Sequence, residues 1–522
     1  MTDQRNYSDA RIKEAEKGST EAIPEQASSE DLRKHSILRT IALVLLLASS
    51  SFLNTAVTQA SVIVLPTIGR DLNIPSGRLQ WVLSAPSLVY ASTLLLWGRL
   101  ADICGRRLIF QLGLACVSLS CLIAPFAPEE VSFDIFRALQ GLGGAAATPS
   151  AVGIIFGAFL PGKPQIYAMS AFSAGFPLGN VVGNILGGII SQYLHWKWIF
   201  WIMAVVAACS CGLSLVIVPP LARDVELQSS PLAKRLKILT SQMDWIGLLL
   251  SLAFLVLLLV ALTEGNVVGW TAPWILTLLV SSCALFLPSF IFWELRLENQ
   301  PNSRPPLLKL SVFKSRMYCA VQAIAFIFWA SFNNFLVFAT YFYQDYQKLN
   351  VIETTLRFLP SGITGLITVY VSSQILSRVN SYIVALWGTA CVSVACLLFA
   401  VAIPPDTSYW AYGFPAMIIL TLGGDTLYPC LSLFVMKSIP NEDQAMGAAM
   451  FQAMGQIGRS IGLAIATAIQ ISVTNSQLGK RSEEEALLKG YRAAEWFSFA
   501  VGALSFGVAA YTFRGAGTLG KS

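Results

Sequence analysis

Residues 97–107 read W-G-R-L-A-D-I-C-G-R-R, and a long apolar run lies on either side of them. A link this short cannot hold a soluble domain. Each flanking run has about the 20 residues needed to cross a bilayer. The glycines, the aspartate and the paired arginines therefore sit where one membrane span turns into the next. Their charges act locally, against neighbouring helix ends at the membrane surface.

Composition extends that reading to the whole chain. Of 522 residues, 55% are hydrophobic and 12% charged, against roughly 25% charged in ordinary soluble domains. The net charge of +6 is small for this length and gives no footing for nucleic acid. It fits basic loops on the cytoplasmic side of a membrane. Nine of the ten cysteines lie in apolar runs, with only Cys104 in a link, and no C-x-x-C pair occurs. The two histidines, His35 and His195, lie near membrane edges. This pattern points to core filling and to neither a metal site nor a disulfide framework. An intramembrane enzyme would need His, Glu or Ser groups clustered at membrane depth, so no enzyme is expected. No G-x-x-x-x-G-K-[ST] loop occurs, so ATP is not the expected energy source, and no cofactor is expected.

The apolar runs divide the chain. Residues 1–36 are polar with mixed charge, lack a signal-peptide pattern, and read as a disordered cytoplasmic tail. Spans are expected near 40–66, 79–98, 109–128, 132–159, 166–192 and 197–220, making a six-helix unit over 37–220. Residues 221–316 form a linker with two extra spans, near 244–263 and 272–294. Six more, near 317–344, 354–377, 382–403, 409–436, 443–472 and 491–513, make a second unit over 317–513, before a short tail at 514–522. Lysine and arginine are richer in the loops that lie inside when the amino terminus is inside. Fourteen spans then return the carboxyl terminus to the same side.

The motif at 97–107 resembles the loop between the second and third helices of the major facilitator superfamily, G-x-L-A-D-x-x-G-R-R/K. Gly98, Leu100, Ala101, Asp102, Gly105, Arg106 and Arg107 carry the match. The resemblance covers nearly all of the chain beyond residue 36. It implies an all-α integral membrane protein with the major facilitator fold: two six-helix bundles plus two inserted helices, rocking around a midplane site. Gly98, Asp102, Gly105, Arg106 and Arg107 would then form a conformational latch. Asp102 would meet a helix amino terminus, and the two arginines would meet acids or headgroups.

Other segments carry the resemblance further. Arg137, Gln140 and Gly141 match the family's R-x-x-Q-G in the fourth span. A charge there is costly against lipid, so Arg137 either faces a cavity or snorkels to a headgroup. In the fifth span, Gly179, Gly183, Gly187 and Gly188 form a small-residue face for close helix packing. They are similar to the antiporter motif G-x-x-x-G-P-x-x-G-G, with Asn184 at the proline position and Pro177 seven residues earlier. In the first span Asn54 stands where similar drug exporters carry an aspartate; it cannot titrate. In the twelfth, L-T-L-G-G-D-T-L-Y-P puts Asp425 mid-span and resembles fungal fourteen-span exporters of the aminotriazole-resistance type, as does G-Y-R-x-A-x-W-F from Gly490 to Phe497.

A mid-span carboxylate needs a cavity, a partner or a proton. Arg459, in the thirteenth span where relatives carry a small residue, is open to two readings: it pairs with Asp425, or it attracts an anionic substrate. Arg137, Asp425 and Arg459 are the candidates for proton coupling. Asn54, Gln140, Trp329, Asn333, Asn334 and Tyr341 are the candidates for lining a largely apolar substrate cavity.

The resemblance thus implies a monomeric drug:proton antiporter at the plasma membrane, with both termini cytoplasmic, exporting a small organic drug, toxin or secondary metabolite. A proton-independent facilitator or importer, kept open by Asn54 and Asn184, and a non-transporting membrane sensor are the competing readings.

Overall fold

The computed structural model describes residues 37–74, 78, 81–220, 243–300, 306–401, 407–440, 443–478, 480 and 482–514. The expected tail at 1–36, the polar link at 221–242 and nearly all of 514–522 lie outside them. Among the described residues, fourteen long helices follow one another. They are α1 (Ile37–Asp71), α2 (Trp81–Cys104), α3 (Arg106–Ile123), α4 (Glu130–Ala158), α5 (Lys163–Tyr193), α6 (Lys197–Ile217) and α7 (Trp245–Val268). Then come α8 (Pro273–Glu298), which contains a π-helical stretch at Ser281–Phe286, and α9 (Arg316–Tyr341). The last five are α10 (Val351–Arg378), α11 (Ser381–Ala400), α12 (Tyr409–Lys437), α13 (Gln444–Gln477) and α14 (Glu483–Thr512). Thirteen are long and apolar enough to cross a bilayer outright, and α10, bent by 42° beyond Thr368, is the fourteenth when read as one span.

Helix pairing exposes an internal repeat that the residues alone do not display. In the first bundle α1 packs on α5 and α6, α2 on α4, and α3 on α4 and α6. In the second, α9 packs on α13 and α14, α10 on α12, and α11 on α12 and α14. Shifting every helix by eight positions maps one set onto the other. The contacts between bundles obey the same shift: α2 meets α13, and α5 meets α10. These two seams join the bundles. The inserted helix α7 packs on α2 and α13, so the extra pair covers one seam and leaves the other uncovered by it.

Local chemistry sets several helix ends beyond the apolar runs. Ser482 accepts from the Glu485 amide and three glutamates occupy the first turn of α14. That cap and those acids suit a helix amino terminus. The expected loop at 473–490 therefore shrinks to a few residues. Asp244 caps α7 by accepting from the Gly247 amide at 3.0 Å, and also accepts from the Trp293 indole on α8. Asn350 and Glu353 form a reciprocal capping box on α10.

Candidate functional site

The motif at 97–107 is hardly a loop. Helix α2 continues through Asp102 to Cys104, α3 begins at Arg106, and Gly105 alone turns the chain with φ 101°. Only glycine enters that region without strain. This one-residue elbow holds Asp102 and Arg106 four apart across the turn.

The Asp102 carboxylate is almost completely buried. Its Oδ1 accepts from Arg106 Nε at 3.1 Å, Arg106 Nη2 at 3.0 Å and the Ala445 amide at 3.2 Å. Its Oδ2 accepts from the Met446 amide at 2.8 Å. Ala445 and Met446 belong to the first turn of α13, whose free N–H groups and positive dipole end favour an anion. Asp102 therefore ties the first bundle to the second. Arg106 Nη1 adds bonds to the Gly153 carbonyl of α4 and to Gln444 Oε1 of α13. Gly98 lets the helices meet. A Cβ there would lie 2.5 Å from Ala449 Cβ and 2.9 Å from the Ala445 carbonyl oxygen.

Arg107 Nη2 donates to the Leu215 carbonyl at 2.6 Å, at the carboxyl end of α6. The latch also has a second acid, Asp443, missed in the sequence. Arg99 Nη1 lies 3.0 Å from its Oδ1 and Lys309 Nζ 2.5 Å from its Oδ2. Lys309 follows the inserted pair, and the adjacent Leu308 amide donates to buried Glu294 on α8 at 3.2 Å. The signal was an acid directly before α13, legible only once the helix start is known.

Deeper in the membrane span, glycines govern α5. Cβ atoms on Gly179, Gly183 and Gly187 would press on Phe52, Ala56 and Ala60 of α1, whereas Gly188 faces open space and is not part of that face. Gly175, against Ala48 and Ser51, extends the row by one more turn. Beside it, Asn180 Oδ1 accepts from Gln59 at 2.7 Å and from Asn184 at 2.9 Å. Asn184 at the proline position thus keeps a polar contact along the helix.

Asp425 lies on α12 near mid-helix. Its Oδ2 is buried with no hydrogen-bond partner among the described residues. The carboxylate faces the seam between α5 and α10: a Cβ on Gly365 would meet Asp425 Oδ2 at 2.9 Å and Pro177 Cβ at 2.8 Å. It is not paired with Arg459. That guanidinium lies 3.9 Å above the Trp329 ring of α9 and donates to Gln456 at 3.3 Å. Trp329 contacts Tyr428 at 6.2 Å between ring centroids, and Tyr428 contacts Phe176 of α5 at 5.6 Å. Asn54 Oδ1 and the Tyr90 ring lie together over Gly144.

The other candidates separate from this centre. Arg137 is fully buried and does not snorkel. It donates to the Val82 carbonyl of α2 and to Gln140 Oε1, and lies over the Phe200 ring of α6. Gln140 is thereby occupied as the partner of Arg137. Asn334 is also buried, and its amide donates to the Gly462 carbonyl, a tie between α9 and α13. Tyr341 is 42% exposed beside Tyr491 of α14, at the carboxyl end of α9. Asn333 is half-buried on α9.

A family model described as Major Facilitator Superfamily matches residues 47–263 and 243–463. The chain is 29% identical over 487 residues to a low affinity ammonium transporter of Saccharomyces cerevisiae, covering 92% of this chain and 90% of that protein. It is 26% identical to the efflux pump terJ of Aspergillus terreus (90% and 88% covered) and 26% identical to the aminotriazole resistance protein of S. cerevisiae (87% and 80%). Among solved structures, the human organic anion transporter MFSD10 superposes with a TM-score of 0.62 at 14% identity, covering 90% of this chain and 99% of that one. At that identity the likeness concerns the fold.

Proposed function

The chain belongs to the major facilitator superfamily, and from that premise we propose that it exports a small organic compound in exchange for protons. The observation that carries the proposal is Asp425. A carboxylate at membrane depth, with one oxygen buried and unbonded, is costly unless it takes up a proton or meets an ion. It also lies at the α5–α10 seam, where rocking of the bundles alters access to it. Asp425 is then the group that carries the proton, and Pro177 and Gly365 are its walls. With Asn54 neutral, the first span offers no titratable group at the equivalent depth.

In this reading the latch holds its own side closed. Asp102, Arg106 and Asp443 bind the two bundles across the α2–α13 seam. Releasing them opens that side, which we assign to the cytoplasm, with both termini there and the protein monomeric in the plasma membrane. Kinship with fungal efflux pumps supports outward transport.

A second reading follows from the ammonium transporter relative: downhill passage of a small cation without proton exchange. The Arg459 guanidinium near the centre opposes a cation electrostatically. Untargeted comparison of medium and cell contents, with and without the protein, separates the two. Export predicts organic compounds retained in cells that lack it. Unchanged organic profiles with altered ammonium uptake would replace the proposal by the second reading.

A further inference from the structure

We propose that the compound carried is an organic anion, with one negative charge beside an aromatic or apolar body, and that Arg459 binds the charge. The inference rests on the transport reading and narrows its substrate class.

Arg459 is a cation at mid-membrane without an acid. Among the described residues its ion pairs number none. The titratable side chains beside it are two phenols, Tyr90 and Tyr428, which carry no charge to neutralise it. Its Nε is buried without a hydrogen-bond partner, and Nη1 has only the long bond to Gln456. Stacking on Trp329 orients the guanidinium plane without neutralising it. A fixed, planar, unneutralised fork is the geometry that receives a carboxylate or sulfonate. The acid on the neighbouring helix, Asp425, faces Pro177 and Gly365 instead.

The surroundings supply the rest of the ligand's shape. Trp329 and Tyr428 present ring faces and edges beside the charge. Tyr90, from the other bundle, lies next to Asn54 over Gly144, and the two fill the space that a side chain at 144 would take. Both bundles thus contribute to one position. The two departures from the exporter segments, Asn54 and Arg459, both make that position more positive than the usual pattern would.

The test uses the full chain in nanodiscs and three probes of similar shape: 1-naphthoate, its methyl ester and 1-naphthylmethylammonium. Binding of labelled 1-naphthoate is measured and competed with the other two. The expected result is at least tenfold tighter binding of the anion. Arg459→Gln should remove that preference, Arg459→Lys should keep part of it, and Asn54→Asp, which restores a nearby acid, should weaken naphthoate about tenfold. Each variant is first checked for monodispersity, and Asn54→Asp keeps the test decisive where Arg459→Gln does not fold. Equal binding of all three probes, binding of none, a preference for the amine, or a preference unchanged in Arg459→Gln and Asn54→Asp overturns the inference. Counterflow of naphthoate in proteoliposomes separates this from the wider reading. Selective binding with no counterflow refutes transport and leaves the anion site standing. Export of neutral or cationic compounds, without anion selectivity, refutes the anion site and leaves transport standing.

Discussion

Replacing Asp102 by asparagine should unbalance the transporter while leaving it folded. The carboxylate accepts four hydrogen bonds, two from Arg106 and two from the amides of Ala445 and Met446 on the opposite bundle. Asparagine has a single acceptor oxygen and no charge, so it can retain one of the two amide bonds across the seam. The other position turns an N–H₂ group toward a donor. Hydrogen bonds to charged groups contribute about 1.5–3 kcal/mol each. Losing one and weakening the other removes about 2–4 kcal/mol from the latched state. At 1.4 kcal/mol per tenfold, the ratio of latched to unlatched protein falls by roughly 30- to 1000-fold. Arg106 keeps its bonds to Gly153 and Gln444, so insertion and expression should survive. Spin labels at Leu160 and Lys437, both exposed at the latch side on opposite bundles, report the opening as a longer distance population. Transport should drop strongly. An unchanged distance distribution together with normal transport in well-expressed protein would refute the reasoning.

Asp443→Asn should loosen the same side, because it strips Arg99 and Lys309 of their shared acid; the same labels should show a smaller shift than Asp102→Asn gives. Gly183→Val should reduce the amount of folded protein, since even a Cβ there would stand 2.5 Å from the Ala56 carbonyl oxygen; quantitative immunoblotting of membranes checks it. Because Asp425 and Arg459 are not partners, Asp425→Asn with Arg459→Gln should express no better than the poorer single variant; recovery in the double variant would mean that the two side chains pair after all. Tags at both termini and near Leu232 should be reached only from the cytoplasm, and a tag near Gln477 only from outside; a carboxyl terminus reached from outside would overturn the topology.

The fold was legible because a membrane leaves a helix few options. Apolar runs of about 20 residues can cross only with their backbone bonded within the segment, so counting runs amounted to counting helices. The motif at 97–107 was legible as a charged turn because its residues are contiguous. What the residues could not display was direction around each helix axis. Asn334 and Asn333 are neighbours in sequence, yet Asn334 is buried against the Gly462 carbonyl. Tyr341 closes the carboxyl end of α9 and emerges at the surface. Asp425 and Arg459 have similar depth on adjacent helices, which left a pair open; instead Asp425 faces the α5–α10 seam and Arg459 lies over Trp329 of its own bundle. Asp443 was hidden for another reason: its role comes from residues 99 and 309, far away in sequence, brought to it by the fold.

The central claim is that Asp425 couples transport to protons. It is tested most directly in proteoliposomes, with the compound that cells lacking the protein retain. The original protein should move that compound uphill when a proton gradient is imposed, and should exchange it across equilibrated membranes. Asp425→Asn should lose the uphill movement and keep the exchange, because only the proton step has been removed. Uphill, gradient-driven transport that persists in Asp425→Asn at the original rate would contradict the account and place the coupling group elsewhere in the chain.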